Sequence, residues 1–275
     1  FSYIQPNSNI LYVGSTYYVF TNGYTWTSSN GTTWSRVTND LTGLTVASQS
    51  KVKYLDSKFI FRANENVYYS TNGTSWSSID LSGPVGVTTT GTTIAYDGTN
   101  WWVGATVSNT RWEFYRSTTL QDNLSNWSVD TLVTAGSNRT NLTVHDVVSN
   151  GSTVAWTYQA YHSNNNNYEK RIRIGSTNHV VGNDDYQYRE QSITFINSLY
   201  TILAHDGTDQ RIYTTTNGSS IATTTRSSSK RIQWIDYFNS KYIAGTNNNQ
   251  VLIGTAINSL SDLNAPFIDS LIDDY

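Results

Sequence analysis

The chain has 275 residues, with 17 Lys and Arg against 20 Asp and Glu and a formal net charge of −3. Charged residues make up only 13% of it, about half the usual share, so a basic surface for binding nucleic acid is not expected. Cysteine is absent, which excludes disulfides and thiolate metal sites, and no stretch approaches the roughly 20 apolar residues of a membrane helix, so membrane insertion is not expected.

Six segments repeat the same pattern of a strand, a tight turn and a second strand, each alternating bulky apolar with small or polar residues. In chain order they begin at Ile10, Val52, Ile94, Val147, Ile193 and Ile232. Alignment of these segments matches Tyr12, Tyr54, Tyr96, Val148, Phe195 and Trp234. Their spacing is close to forty residues, with insertions in the third and fourth repeats.

Each repeat also contains a third strand-like piece, and most contain a fourth, such as "TTWSRVT" and "NAPFIDSL". Four strands per unit at this period are typical of a propeller blade, so we predict an all-β protein, a β-propeller of six four-stranded blades. We expect a single domain over 1–275, with repeats at approximately 4–43, 44–85, 86–140, 141–187, 188–229 and 230–275. A two-sheet sandwich or a β-solenoid is the structural alternative.

The third and fourth strands of several repeats meet at an Asn-Gly sequence, as in "YYSTNGTSW". Asn-Gly supplies positive φ at both central positions of a two-residue hairpin, so we expect such a connection there. Trp34 and Trp76 follow the turn glycine by three residues. They are expected to lie on the fourth strand, with a turn carbonyl accepting the indole N–H.

The spacing Ser-x-Asn-Gly-x-x-Trp, at Ser28 to Trp34 and Ser70 to Trp76, resembles the Asp-box (BNR-like) turn of sialidase-type propellers. It more closely resembles the shortened repeat of phage virion and bacterial surface propeller proteins. Asn stands where that pattern usually has Asp, and the third copy, Thr215 to Ile221, also lacks its Ser and Trp. In the families that it resembles, this turn is a structural device on the outside of the blade.

The resemblance raises the possibility of a sialidase, which would need three arginines, a Tyr/Glu nucleophile pair and an acid/base Asp. The sequence favours no such set. Four arginines fall in or beside third strands, where blade-edge or surface positions are expected: Arg62, Arg116, Arg173 and Arg211. Another glycoside hydrolase would need only two nearby carboxylates and stays open as an alternative. We predict no enzyme activity and no catalytic residues.

Cofactors and metals are not expected either. The four histidines lie in different repeats without the spacing of a zinc site, and no glycine-rich phosphate loop opens a helix. We therefore predict no metal ligands.

Two long insertions are the predicted binding regions. Arg111 and Trp112 stand at one hairpin tip, and Tyr161, His162 and Tyr168 flank an Asn-rich tip. Exposed aromatic rings stack on sugar faces, and amides bind hydroxyls, so these tips suit a neutral glycan.

The resulting prediction is a non-enzymatic binding or structural module, an exposed virion component such as a phage tail, knob or receptor-binding protein. It would contact host-surface glycan and other virion or surface proteins, at the virion surface or in the extracellular space. A secreted or cell-surface lectin is the first alternative, and a glycoside hydrolase the second. The sequence leaves the oligomeric state and the closure of the ring open.

Overall fold

A computed structural model describes the greater part of the chain as two compact units, residues 1–134 and 135–275. The residues described are 10–21, 23–41, 52–63, 66–81, 93–108, 111–120, 127–134, 139–164, 167–184, 190–205, 209–227, 231–238, 240–246 and 250–262.

The first unit contains three antiparallel sheets of four strands, each in chain order. Sheet 1 consists of β1 (Ile10–Val13), β2 (Thr16–Thr21), β3 (Tyr24–Ser28) and β4 (Ser35–Thr38). Sheet 2 consists of β5 (Lys53–Leu55), β6 (Lys58–Ala63), β7 (Asn66–Ser70) and β8 (Ser77–Asp80). Sheet 3 consists of β9 (Ile94–Tyr96), β10 (Trp101–Ser108), β11 (Arg111–Ser117) and β12 (Ser128–Thr134).

The second unit has the same organisation. Sheet 4 consists of β13 (Arg139–Ser149), β14 (Val154–His162), β15 (Asn167–Ile174) and β16 (Thr177–Asp184). Sheet 5 consists of β17 (Glu190–Ile196), β18 (Leu199–His205), β19 (Asp209–Thr215) and β20 (Ala222–Ser227). Sheet 6 consists of β21 (Ile232–Phe238), β22 (Lys241–Thr246), β23 (Val251–Gly254) and β24 (Ser261–Asp262), with a short 3-10 turn at Ile257–Ser259.

The prediction of an all-β chain with six four-stranded sheets is confirmed. In the last repeat, Ser261–Asp262 pairs with β23 as the fourth strand of the sheet. The segment expected for that strand, 264–271, lies outside the described residues. The described part of the chain offers no helix with the length and hydropathy that a bilayer crossing would need. A single domain over the whole chain stays a prediction.

An aromatic pair links the first and second strands in five of the six described sheets. The ring centroids are 4.6–5.0 Å apart in Tyr12–Tyr17, Tyr54–Phe59, Tyr96–Trp101, Phe195–Tyr200 and Tyr237–Tyr242. Tyr237 is therefore the sixth repeat position, and the assignment to Trp234 is wrong. The error arises because "IQWIDYF" contains several bulky residues. Only the register with β22 shows which of them lies beside the turn.

The cores lie between successive sheets within each unit. Ile60 and Val67 of sheet 2 pack with Trp101 and Val103 of sheet 3, and Ala155 and Ile172 of sheet 4 pack with residues of sheet 5. Trp101 and Trp102 point to opposite faces of β10 as adjacent strand residues must, yet both are buried. Sheets 2 and 5, in the middle of their units, are covered on two sides. This explains the apolar runs in their second strands, β6 and β18.

The two-residue turns with positive φ lie between the first and second strands rather than at Asn-Gly. The residue pairs Gly14-Ser15, Asp56-Ser57 and Asn197-Ser198 have φ between 45° and 68° at both positions. At the Asn-Gly sequences only the glycine has positive φ, and β3 and β4 are separated by the six residues 29–34. The predicted two-residue Asn-Gly hairpin is therefore wrong, because the side chains of the turn stabilise a wider loop.

In that wider loop, Ser28 Oγ accepts the N–H of Gly31 at 2.8 Å, and Asn30 Oδ1 accepts the N–H groups of Thr32 and Thr33 at 3.0 and 2.9 Å. The turn of sheet 2 repeats these bonds, with Ser70 Oγ to Gly73 at 2.8 Å and Asn72 Oδ1 to Thr74 and Ser75, both at 2.9 Å.

The two indoles also behave alike. Trp34 Nε1 donates to Gly31 O at 3.0 Å, and Trp76 Nε1 donates to Gly73 O at 3.3 Å. The expected turn-carbonyl partner is confirmed, although both tryptophans stand one residue before the fourth strand.

The turn of sheet 2 also docks on sheet 1. Thr25 Oγ1 donates to Gly73 O at 2.5 Å, and the backbone N–H of Trp76 donates to the Asp40 carboxylate at 2.9 Å. Phe20 contacts the Trp76 ring edge-on at a centroid distance of 5.5 Å. The Asn-Gly loop thus holds together two sheets as well as two strands.

Comparable polar clamps join the other successive sheets within each unit. Arg62 Nη1 donates to Gly104 O, and Asp146 Oδ2 accepts the N–H of Ile193 at 3.2 Å. The Gln210 amide bonds both backbone groups of Ile232, at 2.6 and 2.7 Å. Each clamp satisfies a backbone group of the next sheet.

Candidate functional site

The β14–β15 hairpin brings two of the predicted site residues together. Tyr161 and Tyr168 are directly opposite in the strand register, and their ring centroids are 5.1 Å apart with planes at 55°. Both side chains are half-buried, and Ser163 and Asn164 beyond them are exposed. This tip therefore presents an aromatic pair beside neutral hydrogen-bonding groups.

A column of polar residues continues below this pair on the same face of sheet 4. Residues two apart on a strand share a face, which places Thr157 and Gln159 below Tyr161. Gln159 pairs with Lys170 across the strands, and all three polar residues are fully buried. This face packs against sheet 5, so the strands below the tyrosine pair are held in place by contacts with that sheet.

His145 lies in a bulge of β13, between the register pairs of Val144 and Asp146. Burial lowers the pKa of His145 to about 4, although Asp146 and a hydrogen bond with Gln159 partly oppose the shift. The imidazole is therefore neutral near pH 7. Sequence reasoning missed this residue, because a bulge leaves no mark in the alternation of the strand.

On the opposite face of sheet 4, one arginine pairs with a carboxylate and another with an aromatic ring. Arg171 forms an ion pair with Glu169, and the Arg173 guanidinium lies over the Trp156 ring at 5.4 Å. Tyr158 donates to Asn178 Oδ1 at 3.2 Å, and burial is the largest cause of its raised pKa. These charges stabilise the sheet that carries the tip.

The other predicted tip is described only by its backbone. Arg111 begins β11 opposite Ser108, and Trp112 pairs with Thr106. The side chains of Arg111, Trp112 and His162 lie outside the described part of the structure. Arg111 and Trp112 belong to the first unit and the tyrosine pair to the second.

A Tyr/Glu pair of the kind that a sialidase requires is present at Glu113 and Tyr115. The Tyr115 hydroxyl donates to Glu113 Oε2, but the two residues are only 6% and 4% exposed. Tyr115 packs with Ile60 and Trp101 in the core between sheets 2 and 3. A sugar would have to enter that core to reach the pair.

Two other expectations concern arginines and metals. Arg62 is fully buried, so the expected blade-edge or surface position is wrong for this arginine. Within the described ranges, no cluster of three or more His, Asp or Glu side chains could hold a metal ion.

Neither a protein-family model nor a curated protein matches this sequence. Solved structures do match its fold. A streptogramin B lyase structure has a TM-score of 0.60 at 12% identity, over 95% of this chain and 84% of that one. YCF48 from Cyanidioschyzon merolae has a TM-score of 0.53 at 13% identity, over 93% of this chain and 85% of that one. A structure of YCF48 bound to D1 peptide has a TM-score of 0.54 at 13% identity, over 94% and 83%.

At these identities the likeness shows the fold alone, which is a β-propeller of six four-stranded blades. One of these neighbours is a lyase, and another holds a peptide. The same fold therefore serves catalysis and binding, and only the site can distinguish them.

Proposed function

We propose that this chain is a non-enzymatic binding and structural module that contacts glycan through the tip of the β14–β15 hairpin. The observation that carries the proposal is the Tyr161–Tyr168 pair, half-buried and 5.1 Å apart. Aromatic rings held in this way lose little entropy when a sugar stacks on them.

The groups around the tip favour a neutral ligand. Ser163 and Asn164 are exposed and supply neutral donors and acceptors for hydroxyl groups. Among the charged residues of β15, Glu169 and Arg171 are paired with each other, and Lys170 is fully buried. Asp184 of β16 stands opposite Tyr168 in the strand register and adds a negative charge at this end of the sheet. A neutral hexose chain is therefore a better match than a sialylated one.

The biological setting that we propose is a virus particle, with the module as an exposed tail, knob or receptor-binding component that contacts other virion proteins. Support comes from the Ser-x-Asn-Gly-x-x-Trp turns and from a surface that is poor in charge. The setting implies a location at the virion surface or in the extracellular space. A secreted or cell-surface lectin would use the same site.

A glycan array with the purified chain tests the binding site. We expect Tyr161→Ala to reduce binding at least about tenfold, which is the loss of roughly 1.4 kcal/mol of stacking. Tyr12→Ala is the matched control, because exposed Tyr12 is likewise part of a cross-strand aromatic pair, in sheet 1. Equal losses of glycan binding in the two variants would show that the hairpin tip is not the binding site. Absence of binding by the parent chain would refute the proposal that the ligand is a glycan.

The Glu113–Tyr115 pair is the specific observation in favour of an enzyme. Glu113→Gln separates the two functions, because it removes a carboxylate without touching the β14–β15 tip. Release of sugar from host polysaccharide by the parent chain, abolished in this variant, would show a glycoside hydrolase. We expect no release by either.

A further inference from the structure

We infer that Asn30 is a site of spontaneous deamidation, and that the equivalent Asn72 is protected from the same reaction by its contact with sheet 1. In this reaction the backbone nitrogen of the following glycine bonds to the side-chain Cγ. The Cγ–Nδ2 bond then breaks, and ammonia leaves with the proton from that glycine nitrogen. Water opens the resulting succinimide to aspartate or isoaspartate.

The two asparagines form a matched pair within one chain. Their surroundings in sequence, "SSNGTTW" and "STNGTSW", are nearly identical, and glycine follows both, so no side chain hinders the attacking nitrogen. The hydrogen bonds inside the two turns also agree within a few tenths of an ångström, and both glycines have φ of +77°. Local sequence and turn geometry alone would therefore give the same rate.

The difference between them is docking. Gly31 is exposed, whereas Gly73 is buried. Gly73 O accepts the hydroxyl of Thr25 at 2.5 Å, and Asp40 N donates to Thr74 O at 3.2 Å in the same turn. The glycine nitrogen of sheet 2 can reach its asparagine only after this turn has left sheet 1, which adds an opening step before the chemistry.

The product also fits the exposed turn. Asn30 Oδ1 already accepts two backbone N–H groups, from Thr32 and Thr33. An aspartate oxygen accepts the same bonds with added charge, so this product strengthens the turn. Isoaspartate adds a carbon to the backbone and displaces those donors.

Peptide mapping by mass spectrometry tests the inference. The chain is incubated in mildly alkaline buffer, folded or in urea, and the acid forms at both asparagines are followed over time. In urea we expect equal rates. In the folded chain we expect Asn30 to react about tenfold faster than Asn72, or more, the factor that one net buried hydrogen bond supplies.

A pair of variants tests the cause. Thr25→Val removes the hydroxyl that bonds Gly73 and should raise the rate at Asn72 towards that at Asn30, which itself should not change. Thr38→Val, at an exposed position of the same sheet, is the control and should change neither rate. Equal deamidation rates at Asn30 and Asn72 in the folded chain would overturn the inference. So would deamidation of Asn30 that occurs in urea but not in the folded chain. An Asn72 rate unaffected by Thr25→Val would overturn the role of docking.

Discussion

Alanine at the turn glycines measures how tightly each Asn-Gly loop packs on the residues around it. Gly31, Gly73 and Gly218 have φ of +77°, +77° and +83°, so alanine costs each about 1 kcal/mol of unfolding free energy from the backbone alone. Any further loss reports the contact of the new Cβ. The three sites therefore share one backbone cost and differ in packing.

The space at each site sets the expected order. At Gly31 the new Cβ would lie 3.8 Å from Tyr17, an ordinary contact, so the loss stays near about 1 kcal/mol. At Gly73 it would lie 3.2 Å from Phe20 Cε1, and moving this packed ring raises the loss to about 2 kcal/mol. At Gly218 it would lie 2.2 Å from His179, whose ring must swing away, and we expect about 3 kcal/mol or more.

Urea denaturation followed by tryptophan fluorescence gives the unfolding free energies, and an unchanged slope with urea would show that each variant unfolds as the parent does. Gly73→Ala is compared with Gly31→Ala in the first unit. Gly218→Ala is compared with Gly151→Ala in the second, because Gly151 has φ of +96° and an open site. Equal losses within both pairs would refute the docking of these loops on their neighbours.

Two further predictions concern polar side chains in the second unit, buried Gln210 and half-buried His145. Gln210→Leu leaves the N–H and C=O of Ile232 without the amide that bonds them. We expect urea denaturation to show an unfolding free energy lower by about 2–4 kcal/mol. Thr225→Leu, at an exposed position, is the control and should change it little. The pKa of His145 is about 4 in the folded chain, against an ordinary value of 6.5. The stability that this difference contributes is therefore fully present above pH 6.5 and is lost as the pH falls towards 4. The unfolding free energy should fall by about 3 kcal/mol over that range, and His145→Asn should remove this slope, so an unchanged slope would contradict the assignment.

Most of the fold could be predicted from the period of the sequence repeats. Alternation of apolar and polar residues marks strands wherever one face is buried, and six such patterns predicted six sheets. The positions that failed are those where alternation leaves several choices. Trp234 and Tyr237 are both bulky, and only Tyr237 stands beside the turn that pairs it with Tyr242.

The candidate site was predictable in part for a similar reason. Tyr161 and Tyr168 flank an Asn-rich insertion, and any hairpin would bring them together, as the structure does. Burial of Arg62, and of the Nε2 atom of half-buried His145, could not be read from the sequence, because it depends on a strand of the next sheet and on a bulge. The two-residue Asn-Gly turn failed because Ser28 and Asn30 together satisfy the backbone of a longer loop.

The polar clamps explain why repeats with one geometry share so few residues. What each junction requires is a partner for one or two backbone groups of the next sheet, and a hydroxyl, a carboxylate, an amide or a guanidinium can each provide it. Thr25, Arg62, Asp146 and Gln210 do so at the four junctions described within the two units. Since different side chains meet the same demand, the requirement preserves the spacing of the repeats while their sequences diverge. At Gly73 and Gly218 the glycine of an Asn-Gly loop lies against the preceding sheet, where a larger residue would meet Phe20 or His179.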